Sequence, residues 1–224
     1  MARTNRMRTR AKAQMPMVLL TLLSILQALA LELLWGYVRE QEHLIEASWS
    51  AALSCAQVIA TVLGILVIWI YYSSLVMRFR WVPSTSDTLY PFLIGILQFV
   101  LIETLGLETL GQWFVVLGIL FVVTSGALQL VLRRARLDGE NDEWFGNFSP
   151  ATLRDFYPVI GIAAFLVGLG VVLAITGHQG WFAALALFAA NAALGYQMYL
   201  SHLFWERSMG WEPPISPEHP NADA

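Results

Sequence analysis

Apolar residues gather along the chain into six long runs, at 17–38, 49–77, 89–107, 113–132, 156–175 and 181–204, and polar residues crowd the stretches between them. A bilayer core of about 30 Å is crossed by a helix of about 20 residues. The runs have that length, and the second, fourth, fifth and sixth contain no Asp, Glu, Lys or Arg. The pattern predicts an all-α integral membrane protein with six transmembrane helices. The second run is the longest, so its helix must tilt or project beyond the lipid.

The segments outside the runs divide by charge. Arg3, Arg6, Arg8, Arg10 and Lys12 precede the first run, Arg78 and Arg80 follow the second, Arg133, Arg134, Arg136 and Arg154 lie between the fourth and fifth, and Arg207 follows the sixth. The opposite loops hold only Arg39 among the 13 basic residues, beside Glu40, Glu42, Glu46 and Glu108. Lys and Arg accumulate on the cytoplasmic side, so both termini are expected there, with a bacterial cytoplasmic (inner) membrane as the setting.

Residues 1–15 then read as a basic cytoplasmic arm, 16–208 as the membrane domain and 209–224, rich in proline, as a disordered tail. Ala28-Leu29-Ala30 after a basic start imitates the cleavage site of a secretory leader. The apolar run continues past it through Leu33, Leu34 and Trp35, as a span does. Tryptophans fall into two bands, Trp35, Trp49, Trp113 and Trp181 at the outer boundary and Trp69, Trp81 and Trp205 at the inner one, the expected aromatic belts.

Composition narrows the function classes. Hydrophobic residues make up 57% of the chain and charged residues 13%, with a net charge of −3 and a mean hydropathy of +0.60. A soluble domain carries about 25% charged residues, so a water-covered surface is excluded. Cys55 is the single cysteine, which leaves no disulfide framework or Cys-based metal site. Gly-x-Ser-x-Gly, His-Glu-x-x-His and P-loop patterns are absent, and His43, His178, His202 and His219 lack the spacing of a haem or zinc site. No cofactor or metal is expected, and enzymatic activity is not expected. A lipid enzyme would have to draw on Asp87, Asp155 and His202, the candidates near the inner face. Topology and anionic lipid account for the basic arm, so a nucleic-acid partner is not expected. The acidic turn from Asp138 to Glu143 reads as a solvated loop, with Trp144, Phe145 and Phe148 at the inner interface.

The first and third runs share Ile-Leu-Gln-x4-Glu-x-Leu: Ile25-Leu26-Gln27, Glu32 and Leu34 recur as Ile96-Leu97-Gln98, Glu103 and Leu105. A weaker match links Asp87, Tyr90-Pro91 and Gly95-Ile96 to Asp155, Tyr157-Pro158 and Gly161-Ile162. Together they predict three parallel helical hairpins, as in transporters built from parallel repeats. The third unit departs from the pattern, with Ala164 and Leu169 where Gln and Glu would fall. Small residues at Gly161, Ala164 and Gly168, and at Ala186, Ala189, Ala190 and Ala193, predict a tight hairpin of the last two spans. Ser86 and Asp87 are expected to cap the third span, and Ser149-Pro150 to open a short helix before the fifth.

Polar residues inside spans are costly and therefore informative. Glu32 and Glu103 lie at similar levels near the outer ends of their spans. Convergence of the two would build a place for a proton or cation to exchange, fed by the acidic outer loops. Gln27 and Gln98 precede them by five residues, about 140° around a helix, so Gln and Glu do not share one face. Gln57, Gln129 and Asn191 lie deep in other spans and suit interhelical hydrogen bonding. Asn191, nearest mid-bilayer, is the best pathway residue of the three. The expected function is a small transporter or channel subunit for a cation, proton or small polar solute, with Glu32, Glu103, Gln27, Gln98 and Asn191 as pathway candidates. The alternative is a non-catalytic membrane subunit, assembly factor or sensor. Lipid is the surrounding partner, joined by a second copy or by an unrelated membrane subunit.

Overall fold

The computed structural model describes residues 2–147, 153–177 and 180–209, and every regular element among them is helical. The elements are α1 (Ala2–Glu40), α2 (Trp49–Arg78), α3 (Thr85–Glu103), α4 (Leu110–Ala135), the short α5 (Asp142–Asn147), α6 (Tyr157–Thr176) and α7 (Trp181–Met209), with single 3-10 turns at Glu42–Ile45, Gly139–Asn141 and Leu153–Phe156. Six of the helices are long and apolar enough to cross a membrane, and they fit an integral multi-pass membrane protein. Helix α1 takes in the basic arm as well as the first apolar run. The tail beyond Met209, Ser149-Pro150 and His178 lie outside the described residues.

Local chemistry sets the helix ends. Ser48 caps α2, its hydroxyl accepting from the Ala51 N–H at 3.2 Å. Helix α3 starts earlier than expected. Ser84 is its N-cap, and Asp87, the third helical residue, reaches back to accept from the Ser84 N–H at 2.9 Å, so the two residues close a reciprocal box. The same helix stops at Glu103, not at 107, because the chain turns through Gly106 at φ 135, a backbone region that only glycine occupies readily.

The helices stand in two rows. Helix α1 packs on α2 and α2 on α7; α3 packs on α4 and α4 on α6; α1 and α3 join the rows at one end, while α2–α4 and α6–α7 touch more lightly. The expected tight hairpin of α6 and α7 is therefore not formed. Glycine register decides this. A Cβ on Gly111 would lie 2.6 Å from the Ala174 nitrogen, and one on Gly170 would lie 2.6 Å from the Gly111 oxygen. Backbone thus meets backbone between α4 and α6, an approach that only small residues permit. Gly161 and Gly168, singled out in the sequence, face open space instead. On α7, Ala183, Ala186 and Ala190 are buried at three- and four-residue spacing, on a helix whose principal neighbour is α2.

Two tryptophans expected in the aromatic belts are core residues. Trp113 is fully buried and its indole N–H donates to Thr61 Oγ1 at 3.1 Å, while Trp81 is buried and donates to Asp87 Oδ2 at 3.1 Å. A polar partner at each site satisfies the indole and lets the ring leave the interface. Trp35, Trp49 and Trp181 remain exposed, the last two in ring contact at 4.9 Å. The acidic turn is not simply a solvated loop either. Asn141 is buried within it, and Trp144 and Phe145 pack on Phe79 after α2, at centroid distances of 4.7 and 5.4 Å.

Candidate functional site

Glu32 and Glu103 line one open groove of about 540 Å³ between α1 and α3, together with Glu40. Its walls include Leu29 and Leu33 of α1 and Phe99 and Ile102 of α3. The two helices come close below it, because a Cβ on Gly95 would sit 3.1 Å from Leu26 Cδ2. Both glutamates are exposed rather than buried. The arrangement places three carboxyl groups along one groove with an apolar wall.

The two copies of the shared motif sit on these neighbouring helices with the same pattern of exposure. Ile25 and Ile96 are 55% and 56% exposed, Gln27 and Gln98 are buried, Glu32 and Glu103 are exposed, and Leu34 and Leu105 are buried. Gln and Glu thus take different faces, as their five-residue spacing requires.

The amides separate into two kinds. Gln27 Nε2 donates to the Ile65 oxygen of α2 at 3.1 Å, and Asn191 Nδ2 donates to the Ala56 oxygen of α2 at 3.0 Å and to the Leu187 oxygen at 2.9 Å. Both tie helices together. Gln57 Oε1 accepts from the Gly106 N–H at 3.1 Å and so pins the α3–α4 turn to α2. Gln98 differs: it is 0% exposed, and neither its Oε1 nor its Nε2 has a hydrogen-bond partner among the described residues. Gln27, Gln98 and Asn191 are absent from the groove lining, so of the five pathway candidates only Glu32 and Glu103 meet there.

The half of the bundle away from the groove holds a second feature that the sequence pattern did not single out. Tyr71 Oη donates to Gln197 Oε1 at 2.6 Å across α2 and α7, beside a cavity of about 40 Å³ between α2, α4, α6 and α7. Thr124 lines the same cavity, and its hydroxyl is buried without a partner among the described residues. Gln197 was legible as a polar residue late in the sixth run. Its partner was not, since α2 and α7 are distant in sequence.

The residues a lipid enzyme would need are engaged separately. Asp87 is bound by Arg134, Trp81 and Ser84, His202 Nε2 lies 3.3 Å from Glu206 on the exposed side of α7, and the Asp155 side chain is outside the described residues. No cluster of three His, Cys, Asp or Glu side chains capable of holding a metal occurs among the described residues. Comparison with known protein families, with characterised proteins and with solved structures finds no match for this chain.

Proposed function

We propose that the chain is a multi-pass protein of a bacterial cytoplasmic membrane, with both termini in the cytoplasm, acting as a small transporter or channel subunit that takes up a cation, proton or small polar solute in the α1–α3 groove. The observation that carries this reading is the meeting of Glu32, Glu103 and Glu40 in one groove. The charge division along the chain supports the orientation, because an excess of Lys and Arg on one side resists translocation. With that orientation the groove would open at the outer ends of α1 and α3, beside the acidic loop residues Glu42, Glu46 and Glu108, which would concentrate cations there. The shared exposure pattern of the two motif copies supports α1–α2 and α3–α4 as copies of one hairpin. Flux of protons or monovalent cations into vesicles holding the purified protein tests the reading. Glu32→Gln and Glu103→Gln are expected to abolish it; unchanged flux in both variants, or none in the parent, would sink the reading.

A second reading, a non-catalytic subunit of a larger membrane complex, is favoured by the packing of the interior. Trp113, Phe114, Leu117 and Leu120 fill the α4 face, and the amides of Gln27 and Asn191 are taken up by backbone carbonyls. Purification in mild detergent separates the two. A stoichiometric unrelated partner supports the subunit, and a homo-oligomer supports the carrier.

A further inference from the structure

Lys12 sits four residues before Pro16, and its ammonium pairs with Asp138 and, at 3.1 Å, with Glu140. Those carboxylates belong to the loop after α4, more than 120 residues further along the chain. The loop is firmly held. Asn141 Nδ2 donates to the Arg80 oxygen at 2.6 Å and to the Ala135 oxygen at 2.7 Å, and its Oδ1 accepts from the Arg80 N–H at 3.1 Å. Glu140 also lies 3.5 Å from Arg80.

The other half of the contact carries a gap in its helical hydrogen bonding. Proline has no N–H, so the Lys12 carbonyl loses its helical bond at Pro16, and the ring crowds that carbonyl. The weakest point of α1 therefore falls at the join between the basic arm and the apolar run. Along the arm, Arg6, Arg8 and Arg10 are exposed, while the Lys12 side chain is only 18% exposed against its carboxylates. We propose that this arm is a hinged latch, which rests on the Asp138–Glu140 loop and swings at Pro16 onto anionic lipid headgroups when the inner leaflet is rich in them. Ion pairs at a wet surface are individually weak and screened by salt. A negatively charged leaflet attracts every basic residue brought near it, so three exposed arginines and a released lysine favour the surface together. The lipid half of the latch rests on the membrane reading above, and none of it depends on what the groove binds.

Spin labels at Met7→Cys and Leu137→Cys, both exposed positions, report the arm-to-loop distance in the full chain with Cys55→Ser. In discs of phosphatidylcholine the expected result is one narrow, short distance. Discs containing phosphatidylglycerol are expected to add a longer population, and Lys12→Gln to show the longer population even in phosphatidylcholine. The pair Asp138→Asn with Glu140→Gln opens the latch without touching the arm, so agreement with Lys12→Gln separates release from damage to α1. A single unchanged distance in both lipids overturns the lipid competition. A broad distribution already present in phosphatidylcholine, or no response to either set of substitutions, overturns the latch. A protein that carries no flux leaves all of these distances readable.

Discussion

Arg134, in the last turn of α4, grips Asp87, the third residue of α3, and donates from its other terminal nitrogen to Ser86 Oγ at 3.1 Å. Asp87 is 1% exposed and also accepts from the Trp81 indole, so one carboxylate joins a helix start, a helix end and the α2–α3 turn. The basic side chain keeps partial access to water, whereas the acid has none to spare. Removing one partner of a buried pair leaves the other desolvated, which costs more than the pair itself contributes. Arg134→Gln is expected to lower stability by about 2 kcal/mol, Asp87→Asn by a similar amount, and the double variant by clearly less than the sum. Denaturant titrations in detergent give the three values. Simple additivity would mean that the contact contributes no coupling.

The α4–α6 seam predicts a contrast between two glycines of one helix. A methyl on Gly170 would lie 2.8 Å from the Val115 nitrogen as well as against Gly111, so Gly170→Ala must push the helices apart. Overpacking of this kind costs about 1–3 kcal/mol. Gly168→Ala meets nothing within 4 Å and is expected to be neutral or slightly stabilising, since alanine has the higher helix propensity. Thermal unfolding followed by circular dichroism separates them. Equal melting temperatures for the two variants would refute the seam.

Gln27 and Gln98 hold equivalent motif positions yet should answer oppositely to leucine. Gln27→Leu removes a donor to the Ile65 oxygen and is expected to cost about 1 kcal/mol. Gln98→Leu replaces a fully buried amide with two unpartnered atoms by an apolar group of similar size, and is expected to leave stability unchanged or raise it. Flux measured on the same variants adds the functional half. A Gln98→Leu protein that is stable but silent would make Gln98 a pathway residue rather than a buried leftover.

The six long apolar helices were legible because length and apolar content are properties of single segments. Glu32 and Glu103 were legible for the same reason: a carboxylate in an apolar run stands out without knowledge of its neighbours. Neighbour choice was not legible. Gly161 and Gly168 carry the same small-residue signal as Gly111, Gly118 and Gly170, and only the relative rotation of α4 and α6 decides which of them touch. Trp81 and Trp113 misled for a related reason. Tryptophan favours the interface until a buried acceptor is available, and Asp87 and Thr61 provide one only after the helices pack. Asn141 looked like an ordinary turn residue because its partners, Arg80 in the α2–α3 connection and Ala135 at the end of α4, meet it only once the chain folds.

The proposed uptake through the α1–α3 groove requires the membrane crossing and its direction, and impermeant thiol labelling measures both. With Cys55 replaced, single cysteines at Glu42 and Glu108, both exposed, are expected to label in intact cells. Cysteines at Leu137 and Glu140, exposed on the opposite side, are expected to label only after permeabilisation. Labelling at Glu140 from outside, or at Glu108 only from inside, would contradict the six-span arrangement and remove the groove from the outer face.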